Sequence, residues 1–299
     1  MKAIKISRPI CDIIDKNGTI TTTIHSIYKS TCNLKSENRL ISLLLKNKQM
    51  NPASIMLDSS FFDGQMAIGD TVELTKISNN SNIKESFFQL YVDTDNIDIF
   101  DPSLPCHHFI DFSQMRNINK YLAKNETEMG IYPLLCKHYN DDISSSKSYY
   151  SSMMENYITP YLNDFINELE NKSHSIDLKF TIGFGAGLTP SFDDLLVGLM
   201  SFLVYTKNDY FQVISSSCLI RVDQTTDISR EMLLLATKKQ FNEDIINLYN
   251  AIDNEILFMD RLDKVMKYGH SSGHDTLCGI YLGVKLFGFP SNKKQLKLL

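Results

Sequence analysis

The alternation of polar and apolar positions predicts β-strands across the first hundred residues. Residues 19–28 are rich in threonine and isoleucine and follow Asn17-Gly18, a pair typical of turns. Residues 39–46 are consistent with either a helix or a buried strand, because periodicity does not separate the two in a short apolar run. The polar stretch 78–86 is expected to be a loop. The predicted strands are residues 19–28, 53–58, 71–77 and 87–92.

A change of period near Asp101-Pro102-Ser103-Leu104-Pro105 predicts a domain boundary. Two prolines this close interrupt either kind of regular element. The interpretation is an α+β protein, with a small, partly closed, β-barrel-like domain over residues 1–103 and a mainly α-helical domain over residues 104–299.

Helical spacing characterises the second part of the chain. From Tyr150 to Leu169 the apolar residues recur every three or four positions, which predicts a helix with a core-facing stripe and a kink at Pro160. A helix is also predicted at residues 254–267. Asp227 or Ser229 could cap the run 232–236, and the serine-rich stretch 141–148 is expected to be a loop.

A glycine-rich stretch, residues 183–194, is the strongest candidate for a functional site. Its sequence is Gly-Phe-Gly-Ala-Gly-Leu-Thr-Pro-Ser-Phe-Asp-Asp. Thr189 is expected to be the N-cap and Pro190 the first residue of a helix that is apolar on nearly every side, and therefore buried. Flexible glycine backbone at the amino end of a buried helix offers free N–H groups and a positive dipole to a ligand.

The same pattern occurs a second time near the carboxyl end. Residues 191–198 and 272–279 share the pattern S-x-x-D-x-L-x-x-G, in which Asp194, and not Asp193, corresponds to Asp275. Each serine with its aspartate resembles a capping box at a helix start. Two ordinary N-caps would explain either copy alone, but two matched copies favour a shared site formed by two helix starts.

Composition and charge narrow the class of protein. The 299 residues are 43% hydrophobic and 22% charged with a net charge of −5, so nothing favours nucleic-acid binding. The six cysteines form no C-x-x-C pair, which indicates reduced thiols in the cytoplasm. No signal-peptide core and no apolar run of membrane-spanning length is evident, so no membrane association is expected.

The candidate site lacks several known signatures. It has no Walker lysine, no dinucleotide fingerprint, no G-x-S-x-G elbow and no H-E-x-x-H zinc motif. What remains is a set of hydrogen-bond donors of small bulk, which suits a small anionic substrate such as a phosphate or a carboxylate. The candidate substrate-binding residues are Gly185, Gly187, Thr189, Ser191, Asp193, Thr225, Thr226, Ser229, Ser271, Ser272 and Gly273.

The aspartates Asp193, Asp194 and Asp275 require a separate explanation, since a carboxylate beside an anion is unfavourable. They could cap local N–H groups, hold Mg²⁺ or Mn²⁺, or accept a hydrogen bond from a substrate amide or amine. No cofactor is identified from the sequence. Asp193 and Asp194 should have different roles, because neighbours on a helix point about 100° apart.

Three residues are candidates for catalysis: Asp194, Asp275 and His270. His270 suits acid–base work because glycine and serine leave it accessible, although a histidine that closes a turn is an alternative. Arg230 is consistent with an anion clamp or a surface salt bridge, and His274, within the helix start, is the weaker histidine candidate.

Three segments resemble the motifs of the AllH/YlbF-like family, long catalogued as a domain of unknown function. They are GFGAGLTPSFDDLLVG, TTDISREMLLLA and GHSSGHDTLCG, and the match covers about residues 182–283. The chain departs from the family pattern at Ala186, where the family has proline, at Phe192, where it has glycine, and at His274, where it has tryptophan.

The family includes a subunit of oxamate carbamoyltransferase, so the resemblance implies a subunit of a hetero-oligomer in purine or allantoin catabolism. The implied reaction exchanges a carbamoyl group between carbamoyl phosphate and oxamate, with oxalurate as the carbamoylated partner. Two alternatives stay open: a non-catalytic scaffold or regulatory subunit, and a stand-alone enzyme or binder for another small carboxylate.

Overall fold

Strands dominate the first third of the chain, as the alternating pattern predicts. The computed structural model describes residues 3–37, 39–60, 62, 64, 66–76, 88–105, 114–115, 117–125, 130–139 and 152–288. The elements of the first third are β1 (Ala3–Ser7), α1 (Arg8–Asn17), β2 (Thr19–Ile27), β3 (Thr31–Ser36), β4 (Arg39–Leu45), β5 (Ser54–Leu57), β6 (Thr71–Lys76), β7 (Phe88–Val92) and β8 (Asp98–Phe100).

Within the described residues, these strands form one sheet of mixed direction in the order β7-β6-β2-β3-β4-β5-β1-β8. The half-barrel sheet confirms the predicted barrel-like domain. Strand β4 settles the ambiguity at residues 39–46: it pairs antiparallel with β3 and parallel with β5, so it is a central strand. Its side chains are mostly buried on both faces, which explains why it lacks alternation.

The chain changes direction at Asn17-Gly18, as predicted, but it passes there from a helix into a strand and does not form a hairpin. Gly18 instead ends helix α1 with a positive φ of 72°, and its N–H donates to the Ile14 carbonyl oxygen at 2.8 Å. A glycine in this conformation is a common helix C-cap, which the sequence signal does not distinguish from a hairpin turn. The loop expected at residues 78–86 lies outside the described residues.

The chain divides into two compact units. Residues 1–103 and 241–243 form the first, and residues 104–240 and 244–299 form the second. The short segment 241–243 is tied to the first unit by hydrogen bonds. The Phe241 N–H donates to the Pro102 carbonyl oxygen, and the Glu243 carboxylate accepts from Lys5 Nζ at 2.8 Å and from the Met50 N–H at 3.1 Å.

Helices account for the described remainder of the chain, which confirms the α+β class. They are α2 (Asn117–Lys124), α3 (Tyr132–Tyr139), α4 (Ser152–Glu170), α5 (Ser191–Tyr205), α6 (Phe211–Arg221), a 3-10 turn (Val222–Gln224), α7 (Asp227–Thr237), α8 (Glu243–Asn250), α9 (Glu255–Met266) and α10 (Ser272–Phe287). Among the described helices, none is long and apolar enough to cross a lipid bilayer.

Helix α4 carries the predicted apolar stripe, but only part of it is core. Ile158 and Phe165 are buried, whereas Met153 and Tyr157 are exposed, so the prediction that the whole stripe faces the core is wrong in the first turns. Pro160 lies inside the helix, and the kink there stays a prediction. The loop expected at residues 141–148 lies outside the described residues.

Helices α5 and α10 cross at two glycines that occupy equivalent positions in the repeated motif. A Cβ on Gly198 would overlap the Thr276 carbonyl oxygen, and a Cβ on Gly279 would overlap the Leu195 carbonyl oxygen. Leu195 and Thr276 are themselves equivalent in the repeat. The two contacts are therefore related by a local pseudo-two-fold axis, and the repeat in sequence is a repeat in packing.

Candidate functional site

The loop before α5 depends on glycine for its backbone shape. Gly183, Gly185 and Gly187 all have positive φ, at 78°, 129° and 95°. A Cβ on Gly183 would lie 2.8 Å from the Gln224 carbonyl oxygen, and one on Gly185 would overlap the Ser191 nitrogen. Gly187 is exposed with open space around it. Other residue types would strain this loop and separate it from its neighbours.

The loop amides are available to a ligand. Within the described residues, no acceptor lies within hydrogen-bonding geometry of the backbone N–H groups of residues 185–188. Their carbonyl side is held in place, because the Thr226 hydroxyl donates to the Leu188 carbonyl oxygen at 2.5 Å. A backbone with fixed position and free N–H groups is the arrangement that binds anions.

The starts of α5 and α10 lie together, as the repeat predicts. The Thr189 and Ser272 hydroxyl oxygens are 2.5 Å apart, although 83 positions separate the residues in sequence. The expected cap is wrong: α5 begins at Ser191 with the extended Pro190 in the N-cap position and no capping side chain. Thr189 instead hydrogen-bonds with Ser272 at the start of α10. Neither Ser191 nor Ser272 is an N-cap residue.

Asp193 ties the loop to two other segments. Its carboxylate accepts from the Gly183 N–H at 2.8 Å, the Thr225 hydroxyl at 2.5 Å and the Ser229 hydroxyl at 2.6 Å. Because carboxylate oxygens only accept, both hydroxyl protons point at Asp193 and away from any anion. The geometry supports the capping explanation for Asp193: it satisfies local donors.

We expect Asp193→Ala to lower the free energy of unfolding by about 3 kcal/mol, because it leaves three partly or fully buried donors without an acceptor. Urea denaturation monitored by circular dichroism measures this. The matched control is Asp223→Ala, which removes an exposed carboxylate paired with Arg230 at 2.6 Å and should cost under about 0.5 kcal/mol. Equal costs for the two variants would contradict a structural role for Asp193.

Asp194 and Asp275 behave differently from Asp193. They are only 1% and 0% exposed, and each lies in the first turn of its helix. Asp275 Oδ1 accepts from the Ile131 N–H at 2.8 Å. Within the described residues, Asp275 Oδ2 and both oxygens of Asp194 have no hydrogen-bond partner. Buried carboxylate oxygens without partners are costly, so their retention is typical of a ligand site.

The hydroxyls of the two motifs face the aspartates in a crossed pattern. Ser272, from the second motif, faces Asp194 of the first, and Ser191 faces Asp275. These hydroxyls lower the pKa of the carboxyl that they face, although the contacts to Asp194 fall short of hydrogen-bond geometry. The predicted capping boxes are wrong, because Pro190 and Ser271 occupy the N-cap positions and neither has a capping side-chain hydrogen bond.

Burial and mutual repulsion disfavour two negative charges at this pair. Burial raises the pKa of Asp194 well above its ordinary value, and the nearby Asp275 carboxylate raises it further. Burial also raises the pKa of Asp275 to about 7, against the lowering effect of the Ile131 N–H. A cation, a shared proton or a substrate N–H group would relieve this repulsion.

The segment 225–230, between the two copies of the repeat, contacts the glycine loop through the Thr226 hydroxyl and Asp193 through the Thr225 and Ser229 hydroxyls. Thr226, and neither Asp227 nor Ser229, caps α7: its hydroxyl oxygen accepts from the Ser229 N–H at 3.1 Å. Arg230 forms an ion pair with the exposed Asp223, which is the surface alternative for this residue.

The residues before and within the start of α10 have separate environments. His270 is exposed, and the described residues place no hydrogen-bond partner on its ring, so a turn-closing hydrogen bond is not observed. Ser271 is partly buried and faces Asp275. A Cβ on Gly273 would overlap the Val265 carbonyl oxygen, which gives this glycine a packing role against α9.

The three residues that depart from the family motifs lie in different environments. Phe192 is fully buried and packs edge-on against Phe165, at 5.0 Å between ring centroids, so it fills core and not the site. Ala186 is exposed in the loop. His274 is buried within α10, with its ring 5.6 Å from that of Tyr132.

Two groups near the acid pair formed by Asp194 and Asp275 were not predicted from the sequence. Ile131 contributes a backbone N–H, which no sequence pattern reveals. Tyr268 lies close enough for the charge of Asp194 to contribute to the rise in its pKa to about 12, behind the larger effect of burial. Its position, four residues before Ser272, is the one signal that could have identified it.

Comparison with known families matches both parts of the chain. Residues 181–284 match the family described as oxamate carbamoyltransferase subunit AllH, and residues 2–98 match the AllH family N-terminal domain. A comparison with solved structures finds no significant match. The glycine loop, the acid pair and the α5–α10 crossing all lie within the first of these matches. The chain belongs to the AllH family, named for a subunit of oxamate carbamoyltransferase.

Proposed function

We propose that this chain is a subunit of an oxamate carbamoyltransferase-like enzyme and that the starts of α5 and α10 bind its small anionic substrates. The observation that carries the proposal is the pairing of free loop N–H groups at residues 185–188 with the unpartnered, buried oxygens of Asp194 and Asp275. Hydrogen-bond donors from the loop and acceptors from the two aspartates therefore lie at the adjacent starts of α5 and α10.

The substrates implied by the family have the same two-sided character. Oxamate carries a carboxylate at one end and an amide –NH₂ at the other, and carbamoyl phosphate joins a phosphate to a carbamoyl –NH₂. The loop amides suit the anionic end, and the Asp194 carboxylate suits the –NH₂ end. Asp194 and Asp275 repel an anion, but an N–H group of the substrate that lies between the two carboxylates interacts favourably with both.

In the proposed reaction, the oxamate amide nitrogen attacks the carbamoyl carbon. A C–N bond forms, the C–O bond to phosphate breaks, and the amide nitrogen loses one proton. Asp194 in its ionised form accepts the hydrogen bond from this nitrogen and then its proton, while His270 and Ser271 orient or protonate the departing phosphate. Alignment of two small anions supplies much of the rate enhancement.

Other subunits complete the proposed enzyme, which we place in the cytoplasm and in purine or allantoin catabolism. Large apolar side chains are exposed on three described helices: Met153 on α4, Ile220 on α6 and Ile256 on α9, the last at 86% exposure. Leu188, at the tip of the glycine loop, is also half exposed. Scattered apolar side chains are ordinary on protein surfaces, so the support for partner subunits is the family description itself.

The test is carbamoyl transfer from carbamoyl phosphate to oxamate, measured for the purified chain and for the chain co-expressed with the products of neighbouring genes. We expect activity in the complex and its loss in Asp194→Ala, His270→Ala and Asp275→Ala. Full activity of all three variants in the complex would overturn the catalytic proposal and identify the chain as a scaffold. Oxamate binding without carbamoyl transfer would identify a stand-alone carboxylate binder.

A further inference from the structure

A cluster of three potential metal ligands lies beside the acid pair, on the first two turns of α10. His274, Asp275 and Cys278 are buried, and their ligand atoms all lie within 4.8 Å of one another. His274 and Cys278 are four residues apart and share one face of the helix. The imidazole Nδ1 is 3.7 Å from the Cys278 Sγ.

The separation of 3.7 Å between His274 Nδ1 and Cys278 Sγ suits a tetrahedral zinc-type ion. Ligand atoms bound to one zinc ion at ordinary bond lengths are about 3.3–3.7 Å apart. Asp275 Oδ2 has no hydrogen-bond partner within the described residues, so the protein itself leaves this ligand atom unsatisfied. The Leu122 backbone carbonyl lies against the imidazole, and a carbonyl in such a place holds the ring of a ligating histidine in orientation.

We propose that His274, Asp275 and Cys278 form a site for one zinc-type divalent ion. The donor set of nitrogen, oxygen and sulfur selects Zn²⁺ or Co²⁺ over Mg²⁺ and Mn²⁺, which prefer oxygen ligands alone. Thiolate and carboxylate together neutralise a divalent ion, which suits a buried location. Three protein ligands leave a fourth position open, as in catalytic zinc sites.

This site goes beyond the proposed function and shares one residue with it, Asp275, whose Oδ2 would bind the ion. The hard-metal alternative considered for Asp193, Asp194 and Asp275 is weaker, because the Asp193 carboxylate already accepts three hydrogen bonds. Asp194 is then the carboxylate left for the substrate.

The experiment expresses the full chain in minimal medium supplemented with Zn²⁺ or with Co²⁺ and measures metal content after gel filtration. We expect about one ion per chain and a thiolate-to-cobalt charge-transfer band in the Co²⁺ protein. Cys278→Ser should lose the band and retain under about a tenth of the metal. His274→Gln should also lose metal, and Cys218→Ser, another fully buried helix cysteine, should keep both signals.

Less than about a tenth of an ion per wild-type chain, or a cobalt spectrum without the thiolate band, would overturn the site. If Cys278→Ser fails to fold, His274→Gln and the wild-type spectrum still decide the outcome. Asp194→Asn separates the two proposals: it should retain the metal while it loses oxamate binding. A wild-type chain that binds no metal but supports carbamoyl transfer in the complex would rule out the metal site and would leave the proposed function in place.

Discussion

Replacing Gly198 by alanine should lower the free energy of unfolding by about 3 kcal/mol, in spite of the better helix propensity of alanine. The new Cβ would overlap the Thr276 carbonyl oxygen and lie 3.1 Å from the Ile280 nitrogen. Both are backbone atoms of α10, so no side-chain rotation relieves the clash. Helices α5 and α10 would have to separate, which would also move Asp194 away from Asp275.

Thermal unfolding and urea denaturation measure this effect, and Gly64→Ala is the matched control. No atom of the described residues lies within 4 Å of a Cβ placed on Gly64, so the same substitution there should change stability by under about 0.5 kcal/mol. Gly279→Ala should cost about as much as Gly198→Ala, because the two glycines are equivalent in the repeat. A Gly198→Ala protein as stable as the wild type would show that the helices are not in backbone contact.

The repeated motif is the part of the site that sequence could predict. Two S-x-x-D-x-L-x-x-G segments 81 positions apart, as from Ser191 to Ser272, indicated equivalent helix starts, and the paired hydroxyls of Thr189 and Ser272 bring those starts together. The strands were predictable for a similar reason: β2 alternates exposed and buried residues, and a period of two is visible in sequence. Local periodicity carries both predictions.

Partnerships between segments were not predictable. A capping box is a local interaction, so sequence assigned Ser191 to Asp194, whereas the fold places Ser191 opposite Asp275. Thr226 caps α7 in place of Asp227 or Ser229, because Ser229 is needed by the Asp193 carboxylate. Contacts between segments that are distant in sequence decided these cases, and local patterns do not reveal such contacts.

Sequence could predict that Asp193 and Asp194 have different roles, but it could not predict which aspartate has which role. A helical rotation of about 100° per residue requires Asp193 and Asp194 to face different surroundings. Only the fold shows that Asp193 meets three donors while Asp194 meets the second aspartate. Sequence could not assign these roles because the donors come from residues 183, 225 and 229.

Replacing Asp194 by asparagine should weaken oxamate binding by at least about 100-fold, which is the loss expected when a charged acceptor becomes a donor opposite a substrate –NH₂ group. The amide is similar in shape to the carboxyl, so the packing of α5 is retained. The free energy of unfolding should stay the same or rise by about 1 kcal/mol, because the variant removes a buried carboxyl that has no hydrogen-bond partner among the described residues. Titration calorimetry on the assembled enzyme measures the affinity.

Asp193→Ala is the contrasting variant, because it removes the neighbouring carboxylate and its main expected effect is a lower free energy of unfolding. If Asp194 is the acceptor for substrate, Asp194→Asn loses affinity and keeps its unfolding midpoint. Oxamate affinity within about threefold of the wild type would show that no substrate N–H group reaches Asp194. A fall in stability as large as that of Asp193→Ala would instead make Asp194 a structural residue, and the unpartnered oxygens at the two helix starts would then need a different ligand.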